Sequence, residues 1–256
     1  MITATLIGGG SPQIVQIVVS ATSTGVPWTL VGAAGGRTWT VPGGEGIGDG
    51  SQLTLADNRA PGNQPVVYTY TAAGASQNTT PLTIPFASDF VLQSLNGSRA
   101  LALILSEGSL DTSMESGQQT FRVAGRRRPV VRYDVTGDVQ GTFNVEVAND
   151  QASDFHELLA TGEPLLYRLG TDLPDIDPVG VITYGSLGSR MLPRKGLRIW
   201  TIPYALIDDP YLDVRLGAFS WDDVEAALAG RTWDQIGALM STYTWDQIDA
   251  FDWSTI

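Results

Sequence analysis

The sequence predicts a mainly β protein in three parts, and three observations carry the prediction. Short runs of Val, Ile and Thr alternate in polarity along most of the chain. Turn-forming residues punctuate them, with 29 Gly and 14 Pro among 256 residues. The last forty residues lose the alternation and gain a twelve-residue repeat. Alternation marks strands because successive side chains point to opposite faces of a sheet. Gly and Pro supply the backbone angles of the turns between them.

Residues 1 to about 75 read as a small β-sandwich, with strands expected at 2–7, 13–20, 28–31, 37–41, 52–56 and 66–72. In the second, Val15, Ile17 and Val19 share one face, and Ile14, Gln16, Val18 and Ser20 the other. The glycine-rich run from Gly43 to Gly50 leads into a strand, whereas a phosphate cradle needs a helix amino terminus behind it. It reads as a sandwich loop. The run Asp57-Asn58-Arg59-Ala60-Pro61-Gly62-Asn63 reads as a turn. Strands this short and closely spaced indicate a sandwich. The stretch Pro65-Val66-Val67-Tyr68-Thr69-Tyr70-Thr71 resembles the end of a fibronectin type III-like domain. That resemblance implies a Tyr hydroxyl folded back onto upstream backbone, at Tyr68 or Tyr70, with Trp28 as the core aromatic.

Residues 73–85 are expected as a linker and an entry strand, because Ala73-Gly74-Ala75-Ser76-Gln77-Asn78-Thr79-Thr80 is small and polar. A second β-domain is expected over 76–215, with strands near 82–85, 90–92, 100–105, 120–123, 130–135, 141–147, 165–169, 179–187 and 197–202. One helix interrupts them near 153–161. Ser153 is its expected cap, Phe155, Leu158 and Leu159 its buried face, and Gly162 its stop. Strands with a single helix among them make an α+β layer.

Residues 216–256 form an acidic extension. From residue 217 onward, seven carboxylates face the single Arg231, a net of -6, which is half of the whole chain's -12. Ser220-Trp221-Asp222-Asp223-Val224, Thr232-Trp233-Asp234-Gln235-Ile236 and Thr244-Trp245-Asp246-Gln247-Ile248 recur every twelve residues, and Asp252-Trp253-Ser254 is a partial fourth copy. Each full copy reads as a helix start. The hydroxyl caps free amides, and the residue three positions on reaches back. Helices of about two turns are marginal alone. Trp221, Trp233, Trp245 and Trp253 are therefore the expected docking residues, on a partner protein or on their own chain.

The chain offers little to chemistry. There is no cysteine and a single histidine, His156, so neither a disulfide nor a nitrogen–sulfur metal site is expected. Glu157 follows His156, but no second His stands four residues on. Asp172, Asp175 and Asp177 miss the spacing of a calcium loop. No catalytic, cofactor-binding or metal-binding residue is expected, and the chain is not expected to be an enzyme. The negative charge argues against a duplex-binding surface. Arg126-Arg127-Arg128 is the exception in an acidic chain and reads as a contact with an acidic neighbouring subunit, the alternative being a solvated loop. Met1-Ile2-Thr3-Ala4-Thr5 has no basic leader, and no run of ~18 apolar residues exists, so neither a signal peptide nor a membrane span is expected.

Four stretches, in order, resemble minor tail proteins of long-tailed phages infecting actinobacteria. They are Leu53-Thr54-Leu55-Ala56-Asp57-Asn58-Arg59-Ala60-Pro61 with Val66 to Tyr70; Arg127 to Val131 with Gly141-Thr142-Phe143-Asn144-Val145; Phe155 to Arg168; and Arg198-Ile199-Trp200-Thr201-Ile202-Pro203 with Asp209-Pro210. The closing Thr-Trp-Asp repeats are similar to endings of such proteins. The resemblance implies a virion protein of the tail tip, made in the host cytoplasm: a distal-tail or minor tail protein with a tail-tube-like β-barrel or sandwich after the first domain. It implies a homo-oligomeric ring, a hexamer by expectation, between tail tube and hub, tape measure or tip. An acidic ring would be a passive channel for DNA without binding it specifically. The competing expectation is a carbohydrate- or receptor-binding adhesin using Trp28 or Trp39 on sandwich loops; a cell-wall hydrolase comes third.

Overall fold

The computed structural model describes residues 1–7, 13–114, 118–122, 124, 126–133, 139–171, 176–192, 196–210 and 221–241. The fold is mainly β. In chain order the first strands are β1 (Ile2–Ile7), β2 (Ile14–Val19), β3 (Pro27–Ala34), β4 (Arg37–Ile47), β5 (Leu53–Asp57), β6 (Pro65–Ala72), β7 (Ala75–Asn78), β8 (Leu82–Thr83) and β9 (Phe90–Ser94). Then come β10 (Ala100–Met114), β11 (Gln118–Phe121), β12 (Val130–Tyr133), β13 (Val139–Ala148), helix α1 (Ala152–Ala160), β14 (Leu165–Leu169), β15 (Val179–Tyr184), β16 (Gly188–Leu192), β17 (Leu197–Ile207), α2 (Trp221–Leu228) and α3 (Trp233–Met240). The chain divides into two compact units: Met1–Ala102 with Leu166–Val179 and Asp209–Ile256, and Leu103–Leu165 with Gly180–Asp208.

The first unit holds a β-sandwich. One sheet has the order β1-β2-β5 and the other β4-β3-β6-β7, with β8 also on β6. Val15, Ile17 and Val19 from the first sheet meet Trp28, Leu30, Val41, Val66 and Tyr68 from the second in one buried core. This is the face that alternation selects on β2, and each such side chain contributes ~1.5–3 kcal/mol by leaving water.

Two expectations fail in this unit. The segment read as a linker pairs instead, with Ala75–Asn78 running antiparallel to β6. Ala73 and Gly74 take positive φ (51° and 77°), the conformation of a tight hairpin turn, so the small residues make the turn itself. The glycine run read as a loop is largely strand, because β4 continues to Ile47. Its Gly46 faces Trp28 across the ladder, as Gly32 faces Trp39. A Cβ on Gly46 would lie 2.9 Å from the Trp28 ring. These glycines are in strands because the indole opposite occupies the volume of a side chain.

In the second unit β13 pairs along its length with β17, from Gln140↔Ala205 to Ala148↔Leu197, and on its other side with β10, which bulges between Leu105 and Leu110. The glycine device returns here, since Gly141 is opposite Tyr204 and a Cβ would stand 2.8 Å from that ring. Tyr204 stacks on Phe143 with centroids 4.0 Å apart. β17 also pairs with β15 and with β16. The strand expected over 179–187 is shorter, β15 alone, and β16 lies beyond it. β15 stops before Gly185, whose amide turns to the Pro203 carbonyl at 3.0 Å, and β16 then forms from a mostly exposed segment without alternating polarity.

Helix α1 begins earlier than its sequence implies. Gln151, not Ser153, holds the N-cap position, and no side chain caps it. Turn bonds from Gln151 to Ala148 and from Ala152 to Asn149 start the helix directly from the end of β13. Phe155 and Leu158 are buried, and Leu159 is half-buried. The exit follows expectation, with Gly162 at φ 67°. The Tyr184 hydroxyl closes it by donating to the Leu159 carbonyl at 2.8 Å.

Candidate functional site

Buried charge in the first unit is concentrated around the run read from sequence as a turn. Asp57, Asn58, Arg59 and Ala60 are all buried. Asp57 Oδ2 accepts from Trp39 Nε1 at 3.0 Å and from the Tyr68 hydroxyl at 2.8 Å, while Oδ1 accepts from the Arg59 amide at 2.7 Å. Arg168, on β14, is fully buried; its Nε donates to the Ala60 carbonyl at 2.8 Å and its Nη1 to Gln93 Oε1 at 3.3 Å. Its guanidinium lies 4.7 Å from the centre of the Phe86 ring. Arg59 donates to Asp209 at 2.8 Å, to the Leu95 carbonyl at 2.6 Å and to the Asn58 side chain.

Burial sets the electrostatics here. It pulls Arg168 down to about 10, with the Asp57 charge working the other way. Burial also pushes the Tyr68 hydroxyl well above its ordinary value, and the charge of Asp57 adds to that. The carboxylate is occupied by three donors, so this cluster is a fastening for the loop. Of the two tyrosines the fibronectin resemblance offered, Tyr68 sends its hydroxyl to a carboxylate side chain instead of upstream backbone.

Neither aromatic offered to a glycan is exposed. Trp28 is buried on β3 and stacks with Tyr70 at 6.1 Å. Trp39 is half-buried on β4, edge-on to Tyr68 and bonded to Asp57. Neither stands on a loop. His156 is exposed on α1 and packs edge-on against Trp200. Asp177 pairs with Arg37; Asp172 and Asp175 fall outside the described residues.

Two exposed surfaces among the described residues combine apolar and charged side chains. Arg126, Arg127 and Arg128 are exposed in the connection between β11 and β12, and no ion pair among the described residues engages them. The two strands form a hairpin in which Phe121 is opposite Val130. Those two side chains are 48 % and 40 % exposed on one face, which they share with Arg132 by the two-residue period. The second surface is α3. Thr232 accepts from the Gln235 amide while the Gln235 side chain accepts from the Thr232 amide, a complete capping box. No residue of α3 is buried, and Trp233 is 86 % exposed.

No family model and no curated protein matches the chain.

Of the predicted docking residues, Trp233 is thus set at the start of a capped helix and left uncovered. The backbone of α2 begins at Trp221, while Trp245 and Trp253 lie outside the described residues. The sequence reading missed Arg122 and Arg132. Both are exposed and flank the arginine triplet, and the signal was present: five arginines and no carboxylate occur between residues 122 and 132.

Proposed function

We propose that this chain is a structural protein of a phage tail tip, a distal-tail or minor tail protein that assembles into a ring between the tail tube and the hub or receptor-binding parts. One observation carries the reading. A chain with -12 net charge exposes an arginine-rich, partly apolar hairpin and, elsewhere, an acidic helical segment with an uncovered tryptophan. Two unlike adhesive surfaces on one chain suit a protein that meets copies of itself head to tail. The three-strand and five-strand sheets packed on one core support a fibronectin type III-like first domain. The β13–β17 sheet with α1 beside it supports a tail-tube-type β-domain after it. The four resembling stretches lie on β5–β6, β12–β13, α1–β14 and β17, the elements that build these parts. Its acidic surface repels DNA, which suits a conduit that DNA passes without binding.

The test is location. Gold-labelled antibody against the chain, applied to phage particles from the strain that encodes it, is expected at the distal end of the tail. Purified particles free of the chain by peptide mass spectrometry would overturn the proposal.

A further inference from the structure

The arginine hairpin and the acidic tryptophan segment complement each other in three respects. In charge, five arginines without a carboxylate face seven carboxylates with one arginine. In apolar content, exposed Phe121 and Val130 match exposed Trp233. In chemistry, guanidinium groups favour the face of an indole ring. Phe121, Val130 and Trp233 are each exposed, so each surface is open to a second copy. A helix of two turns whose Ile236, Leu239 and Met240 are only half-buried and whose Trp233 is exposed gains stability from a partner that covers it.

We infer that the β11–β12 hairpin of one copy binds the acidic tryptophan segment around α3 of a second copy. This rests on the ring-forming reading above and names its contact. Trp233 lies against Phe121 and Val130, the guanidinium groups of Arg126, Arg127 and Arg128 meet carboxylates such as Glu225 and Asp234, and salt screens the contact because these charges are at the surface. Each copy carries one hairpin and one segment, so the contact propagates head to tail and closes into a ring or continues as a filament.

A charge swap tests it in the full chain. One variant carries Arg126→Glu, Arg127→Glu and Arg128→Glu. The other carries Asp222→Lys, Asp223→Lys, Glu225→Lys, Asp234→Lys and Asp246→Lys. Mass in solution is read by light scattering. The wild type is expected to assemble and each variant alone to stay monomeric. An equimolar mixture is expected to regain assembly, since each variant's hairpin then opposes the other's segment. Trp233→Ala, a surface change that leaves both units intact, is expected to weaken association about 30-fold.

A wild type monomeric at every concentration overturns the contact, while particle labelling still decides the tail reading separately. Variants that assemble like the wild type, or a mixture that does not recover, overturn it as well. So does an arginine variant that assembles normally but loses affinity for a DNA fragment, which would make the hairpin a nucleic-acid surface.

Discussion

Asp57 sits fully buried with three donors on its carboxylate and two buried arginines nearby, Arg59 with its amide on Asp57 and Arg168 within reach of its charge. Removing it leaves positive charge inside the sandwich without its counterion. Asp57→Ala is expected to cost ~3–5 kcal/mol in urea unfolding, and Tyr68→Phe, which removes one donor, ~1.5–3 kcal/mol. The same residues give the alkaline limb of stability its sign. Burial holds Tyr68, Tyr70, Tyr184 and Tyr204 above the ordinary tyrosine value of 10.0. Above pH 10.0 the unfolded chain releases those protons first, so stability falls as pH rises. Arg168, lowered from 12.5 to about 10, works oppositely in that window, because the folded chain releases its proton first. Four groups against one give a net loss, expected as a falling urea midpoint between pH 9 and 11. A midpoint that rises over that interval would show that the arginine dominates. Nothing in the local sequence of Asp57 announced this role. Asp-Asn with Pro-Gly is turn chemistry at an exposed site, and only β14, more than a hundred residues on, brings the cation that buries it.

At the scale of elements, three glycines face aromatic rings across strand pairs: Gly32 and Trp39, Gly46 and Trp28, Gly141 and Tyr204. The ring lies over the glycine and covers backbone that would otherwise face water, so the pair replaces two ordinary side chains. Gly141→Ala is the sharper test, because the added carbon also meets the Asp111 carbonyl, which is backbone and cannot swing away. It is expected to cost ~1–3 kcal/mol by overpacking, read as a lower thermal midpoint, while Gly185→Ala, with open space around it, is the control. This pairing marks the limit of what alternation reveals. Val15, Ile17 and Val19 announce their strand within six residues, and Phe155 and Leu158 their helix face, because the burial that selects them is periodic. Glycine in a strand has no period, and its reason is a ring on another strand. The capping box on α3 was legible for the opposite reason, since Thr232 and Gln235 satisfy each other within four residues.

For the whole molecule, the distribution of charge matters more than its total. A net of -12 predicts only repulsion between copies. Assembly then requires a local exception, and a third of the chain's basic residues lie in the eleven positions from Arg122 to Arg132. Long-range repulsion and short-range attraction respond differently to salt. The Debye length shrinks from ~10 Å at 0.1 M to ~3 Å at 1 M, which removes the general repulsion but also screens exposed arginine–carboxylate pairs at the contact. Modest added salt is therefore expected to favour association of the wild type, and high salt to reverse it. Sedimentation from 0.02 to 1 M sodium chloride is expected to show a maximum in average mass at intermediate salt. Trp233→Ala should lower the whole curve without moving its maximum, because an apolar contact strengthens little with sodium chloride. Mass that climbs steadily to 1 M would show that the copies meet through apolar surface, with the arginine hairpin standing apart from the contact.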